Sequence, residues 1–411
     1  MFPGWKPTVK RALTPLEIAS GLLLGSDPLS VALPQSNPSL SPRMAFERAV
    51  LPALLRPPCL VSFSGGRDSS AVLAIAVHVA RSEGLALPVP FTLRFPAEPE
   101  SQETAWQEHV VRHLGLDNWI RRDCDDELDC IGPYARQALR RHGLLWPFNS
   151  HFVAPAAEAA QGGSVLTGAG GDQIFAYSRL ERHRDLLARR ARPQARDLLR
   201  LAYALAPATA RRAVVGRRLD TGLELPWLRP AARAAVLAAV VANDASEPIR
   251  SRQHVRWILG LRALQVGLEC FDLVAADYGA GIVSPLLDPV LGETLTREPG
   301  RSFYMDRTRA MHALVGDLLA ADVCARTSKA IFQGPFWNRH ARAFASDWDG
   351  TGIDESLVDV DALRAHWHSP EPVAQSMTLL QAVWLAADSR PGDGSAEGDE
   401  AVEQTAARFT E

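Results

Sequence analysis

An α/β protein, with a doubly wound parallel sheet followed by an all-helical region, is implied by the order of apolar segments in this 411-residue chain. A short apolar run at 59–63 and strand-like segments at 89–95, 118–122 and 164–167 alternate with helical stretches of about 10–15 residues, the rhythm of right-handed βαβ units. The first and last of these runs each lead into a glycine-rich turn, where ligands bind at the carboxyl edge of an open parallel sheet. After residue 178 the strand signals stop, and arginine- and alanine-rich segments of helical period continue to about residue 345.

The elements follow in order. Thr14, Pro15 and Glu17 have the spacing of a capping box with proline at the first helical position, so a helix is expected from there to about Leu24. Residues 33–42 (LPQSNPSLSP) read as a linker, and Ser41-Pro42 starts a second helix running to about Leu55. The run CLVSF is a buried strand, SGGRDSS a tight turn, and the alanine- and valine-rich stretch from Asp68 to Ser82 a helix. Further helices are expected at 102–114, 127–142 and 151–160. These readings divide the chain into a helical extension (1–45), an α/β core (46–178), a helical region (179–385) and a tail (386–411). Residues 388–411 carry seven acidic and two basic side chains with glycine and proline, a composition that predicts disorder.

Composition narrows the function. With 44 basic against 47 acidic residues the net charge is −3, so the whole chain has no attraction for nucleic acid or an anionic membrane. Five cysteines without a CxxC pair argue against a disulfide scaffold or a zinc site and for a reducing, cytoplasmic setting. The longest apolar run, 234–242, is about half of what a membrane helix needs. Of the 44 basic residues only Lys6, Lys10 and Lys329 are lysine. In a chain that uses arginine by default, Lys329 points to a compact, mobile ammonium that arginine cannot replace. An ordinary solvated lysine is the competing account.

Chemistry concentrates in two glycine turns. In SGGRDSS, Gly65 and Gly66 let an anion approach the backbone, Ser64, Ser69 and Ser70 supply hydroxyls, and the following helix directs free amides and its positive end to the same spot. No GK[ST] follows, so this is not a Walker loop. Asp68 would repel an anion alone but suits Mg²⁺ carried by phosphates. The second turn, in VLTGAGGDQIF (165–175), presents Gly170, Gly171 and Asp172. Two aspartates at two strand ends suit one or two Mg²⁺ ions that neutralise a leaving pyrophosphate. Taken singly, each turn could equally be a glycine bend with an aspartate helix cap.

At this point the residues resemble a family. SGGRDSS is similar to the pyrophosphate-binding loop of N-type ATP pyrophosphatases, a loop shared with transfer-RNA thiolases, lysidine synthetases and GMP synthetase. TGAGGDQIF, SPLLD (284–288) and RTSKAIF (326–332) resemble the synthetase domain of asparagine synthetases, a grouping that includes β-lactam synthetases and lasso-peptide cyclases. The likeness spans roughly residues 46–345. It implies a PP-loop, adenine-nucleotide α-hydrolase-like fold and an ATP- and Mg²⁺-dependent, AMP-forming amide ligase. Ser64, Gly65, Gly66, Asp68, Ser69, Gly170 and Gly171 would bind the nucleotide, with Asp68 and Asp172 as metal ligands. Lys329 would stabilise charge while the amide forms, and the backbone of 89–95 would lie near adenine. The alternatives are a PP-loop enzyme acting on transfer RNA and a degenerate ATP-binding homologue.

The departures concern substrate. Glutamine-hydrolysing relatives begin with a cysteine nucleophile, whereas Met1 is followed here by Phe2. The resemblance thus implies a chain without its own glutaminase, served by ammonia, a partner protein or a substrate amine. Ala169 stands where asparagine synthetases place glutamate, Gln173 replaces an acid, and Val283 replaces an arginine. The expected substrate is a small-molecule or peptide carboxylate. His109 and His113, four apart on a helix, read as a solvated face rather than a metal pair, and Arg179–Arg218 as an exposed arginine surface. Trp146-Pro147-Phe148 reads as packing at a domain edge, and Phe336 and Trp337 as core or substrate contacts.

Overall fold

The computed structural model describes residues 10–28, 39–98, 103–175, 186–187, 189, 192–219, 224–248, 251–297, 307–326 and 334–389. Lys329 lies outside the described residues, as do most of the 33–42 linker, part of the arginine-rich stretch 179–218 and all but the first two residues of the acidic tail.

Five parallel strands, β1 (Cys59–Ser62), β2 (Val89–Arg94), β3 (Ile120–Asp123), β4 (Ser164–Leu166) and β5 (Gly281–Val283), form one sheet in the order β3-β2-β1-β4-β5. The register pairs Leu60 with Val89 on one side and with Val165 on the other. From β1 the chain therefore steps outward through β2 and β3, then returns to lay β4 against the opposite side of β1. That reversal opens a crevice between the carboxyl ends of β1 and β4.

The first helices are α1 (Pro15–Ser20), which packs in the second core, and then α2 (Pro42–Leu54), α3 (Arg67–Glu83), α4 (Thr104–His113), α5 (Pro133–His142), α6 (Ala154–Ala159) and the short α7 (Gly171–Ile174) around the sheet. The capping box at Thr14 forms, but α1 stops at Ser20 because Gly21 takes a left-handed conformation with φ 66°. Helix α3 is the centre of the core. Ala71, Val72, Leu73, Ala74, Ile75, Ala76 and Val77 are all buried, packed among α2, β1 and the helix Arg307–Val315. Each large member contributes about 1.5–3 kcal/mol through burial. A helix with so little polar surface on its sides offers only its N-terminus to a ligand.

The helical region builds a second core around Trp227, which is fully buried and donates its indole N–H to the carbonyl oxygen of Ala19. One strand departs from the expectation of a purely helical region after residue 178. β5 joins the sheet beside β4, pairing Val165 with Ile282. Three residues, GIV, are too short to show alternation, and the helix Arg262–Asp277 ends only four residues earlier. All five cysteines are unpaired and buried. Among the described residues no helix is long and apolar enough to cross a membrane.

Candidate active site

The turn after β1 is held from behind. Thr92 donates its hydroxyl to the carbonyl oxygen of Phe63 (2.7 Å), Gln107 donates from Nε2 to that of Ser64 (3.0 Å), and Arg326 donates from Nη1 to that of Gly65 (2.6 Å). Arg326 also pairs with Glu103 and lies 4.9 Å over the Trp106 ring. Three consecutive carbonyls are thus turned into protein. Within the turn, Ser64 and Ser69 hydroxyls lie 3.1 Å apart, and Gly66 donates its N–H to Ser64 Oγ (3.3 Å). Gly65 has φ 83°, a conformation that L side chains rarely adopt. Gly66 caps α3 with no side-chain hydrogen bond, which leaves the first-turn amides for a ligand.

The turn after β4 meets this one directly. A Cβ on Gly168 would sit 2.9 Å from the Ser69 nitrogen, and one on Gly171 would sit 2.2 Å from Asp68 Cγ. Gly168 and Gly171 are therefore required by contact between the two loops, whereas Gly170 has φ 96° and faces Leu287. Asp68 and Asp172, 104 positions apart in sequence, share one cation. Arg307 donates from Nη1 to Asp172 Oδ1 (2.6 Å) and from Nη2 to Asp68 Oδ2. Asp68 is mostly buried and Asp172 half exposed. Burial pushes the Asp68 carboxyl above its usual range, against the pull of Arg307. Its Oδ1 is buried with no hydrogen-bond partner. Arg307 carried no signal in the sequence, where it is one arginine in an arginine-rich chain.

These features suit a Mg²⁺ ion. Two carboxylates, one with an unused oxygen, match a metal that retains waters and takes its other ligands from phosphates. A cage made wholly of protein is absent: among the described residues no group of three or more His, Cys, Asp and Glu could hold a metal.

Two cavities flank the crevice. One, of about 280 Å³, lies at the ends of β2 and β3, lined by Leu93, Arg94, Phe95, Glu103, Gln107 and Asp123 among others. The other, of about 240 Å³, lies at the end of β5 and includes Leu268, Phe271, Asp272, Ile282, Ser284 and Asp288. Ser284 Oγ is 2.9 Å from Thr167 Oγ1, which accepts the Ala169 N–H, so this second cavity adjoins the TGAGGD turn. Burial and then Glu269 push the Asp272 carboxyl up.

The remaining candidates separate from the site. His109 sits 3.3 Å from Asp322 and His113 3.2 Å from the carbonyl oxygen of Leu318, so the pair bridges to the neighbouring segment 318–322. Phe336 packs edge-on against Phe148 and His151 in the second core, and Trp337 is buried there too. Trp146 donates its indole N–H to Gly21. Cys59 is buried on β1, its thiol pushed up to about 11 by desolvation, which is the state of a core residue rather than a nucleophile.

A family model described as "Asparagine synthase" matches residues 43–387. No curated relative matches the chain. The match covers both cores, both glycine turns and the SPLLD segment, and family membership carries an ATP-dependent ligase function of amidotransferase type. By this match the chain belongs to the asparagine synthase family.

Proposed function

We propose that the protein is an AMP- and pyrophosphate-forming amide ligase that adenylates a carboxylate and passes the acyl group to an amine or ammonia. The observation that carries this reading is the convergence of Asp68 and Asp172 on one cation beside an uncapped helix N-terminus. A triphosphate needs that combination of amide donors and acid-bound cation.

Ser64, Gly65, Gly66 and Ser69 would hold the phosphates, with Gly170 and Gly171 closing the opposite wall. Asp68 and Asp172 would hold Mg²⁺, which when bound neutralises charge on the departing pyrophosphate. The cavity beyond β2 suits adenosine, because it opens beside the loop and includes residues 93–95. The cavity beyond β5 suits the acyl acceptor. It combines apolar walls from Leu268, Phe271 and Ile282 with an accessible carboxylate, Asp272, for an amine. The substrate carboxylate then attacks the α-phosphorus from the β5 side, pyrophosphate leaves along the α3 side, and the amine attacks the acyl-adenylate. Lys329, three residues beyond Arg326, would stabilise charge in that last step. A peptide or small-molecule acid, an amine from a partner or from the substrate itself, and a cytoplasmic setting complete the proposal.

The test is ATP–pyrophosphate exchange screened against amino acids, peptides and small acids. AMP and pyrophosphate are the expected products, and Asp68→Ala should abolish them. ADP and phosphate as products would overturn the reading.

A further inference from the structure

We propose that Arg307 is a built-in counter-cation for the Asp68–Asp172 pair, which a divalent cation must displace, so that metal binding is set by where this one guanidinium lies. The inference rests on the nucleotide site proposed above and concerns how that site is assembled.

The geometry is specific. The two terminal nitrogens of Arg307 are divided between the two aspartates, one each, and its Nε is buried with no hydrogen-bond partner. The guanidinium is thus held by the two carboxylates that a metal would use. Arg307 lies on the helix Arg307–Val315, which packs against α3.

Charge accounting gives the consequence. The two carboxylates carry −2, and Arg307 brings these three groups to −1, with Arg67 acting on Asp68 from nearby. A divalent ion alone brings the pair to neutrality. Both cations together leave +1, which requires an anion, and a triphosphate is the anion this loop is shaped to receive. Without nucleotide, Arg307 and the metal compete for the same oxygens. With nucleotide, the guanidinium has phosphate oxygens to move to, and its long side chain can turn without displacing the helix.

The experiment uses Mn²⁺ as the metal, followed by electron paramagnetic resonance, and α,β-methylene-ATP as the nucleotide. Both affinities are measured separately on the full chain. Arg307→Gln should bind Mn²⁺ about tenfold more tightly than the parent protein without nucleotide. The same variant should bind the metal-free analogue more weakly in EDTA. Opposite shifts of this kind are not expected of a merely structural ion pair, whose loss would weaken both. Equal or weaker Mn²⁺ binding by Arg307→Gln, with the analogue still bound in Mg²⁺, would overturn the inference and leave the nucleotide site standing. Failure of the parent protein to bind the analogue even with Mg²⁺ would remove the site itself. Should Arg307→Gln not fold, Arg307→Lys keeps the charge but loses the fork, and both shifts should appear with the same signs and smaller size.

Discussion

Arg326 and Gly65 are joined by a 2.6 Å hydrogen bond across 261 residues of sequence. The arginine turns the Gly65 carbonyl away from the crevice and, through Glu103 and Trp106, fastens the start of α4 to the same point. The phosphate loop and the start of α4 thus share one anchor.

That anchor sets a stability cost. The side chains of Arg326 and Glu103 are 3% and 8% exposed. Arg326→Leu removes the buried guanidinium that pairs with Glu103 and should cost about 3–5 kcal/mol in urea unfolding. Replacing Glu103 with leucine as well should restore part of the loss. A double variant no more stable than the single one would contradict the pairing.

Gly171→Ala tests the contact between loops. The added methyl would stand 2.2 Å from Asp68 Cγ, and the carboxylate can retreat only by leaving Arg307. A displacement of about 1 Å should lower ATP–pyrophosphate exchange about 100-fold. The melting temperature should move little by comparison. Unchanged exchange would mean that the Asp68 position does not matter.

Acid should weaken the second core through His151. Burial holds this imidazole at about 4, against a usual 6.5, and its Nε2 donates to the carbonyl oxygen of Leu128. The folded protein keeps it neutral while the unfolded chain protonates. Its contribution is therefore complete above pH 6.5 and falls as pH drops towards 4. Between pH 7 and pH 5 the loss should be about 2 kcal/mol. Urea unfolding of the parent protein and His151→Gln at both values reads it directly, since glutamine retains a donor but does not titrate. Parallel pH slopes would exclude His151 as the source.

Lys329→Arg separates the two half-reactions. Arginine keeps the charge but spreads it over a planar fork, so amide formation should fall while substrate-dependent ATP–pyrophosphate exchange largely survives. Equal loss of both in a coupled assay would reject a role confined to the second step.

What the sequence disclosed follows from what is local. β1, β2 and β4 are short, largely apolar segments, and β1 and β4 lead into the glycine-rich turns SGGRDSS and TGAGGDQIF, where Gly168 lies against the Ser69 backbone and Gly171 against Asp68. Those constraints act on neighbouring residues and leave a readable pattern. β5 left none, since three residues cannot alternate. Arg307 left none either, because its partners lie more than 130 positions away and the chain uses arginine almost everywhere; Arg326 stood in the RTSKAIF motif, but its contacts with Gly65 and Glu103 were not legible there. The cavity at β5 was hidden for the same reason: Ala49, Leu268 and Ile282 look like core in sequence and meet only in the fold.

The placement of the two cavities on opposite flanks of β1 and β4 divides labour within the molecule. Leu268, Phe271 and Ile282 belong to the wall on one flank and Leu93 and Phe95 to the wall on the other, with no residue common to both. On the proposed assignment of the cavities, mutational libraries at Leu268, Phe271 and Ile282 should vary what is acylated while sparing nucleotide handling, whereas Leu287, which packs on Gly170, should affect both.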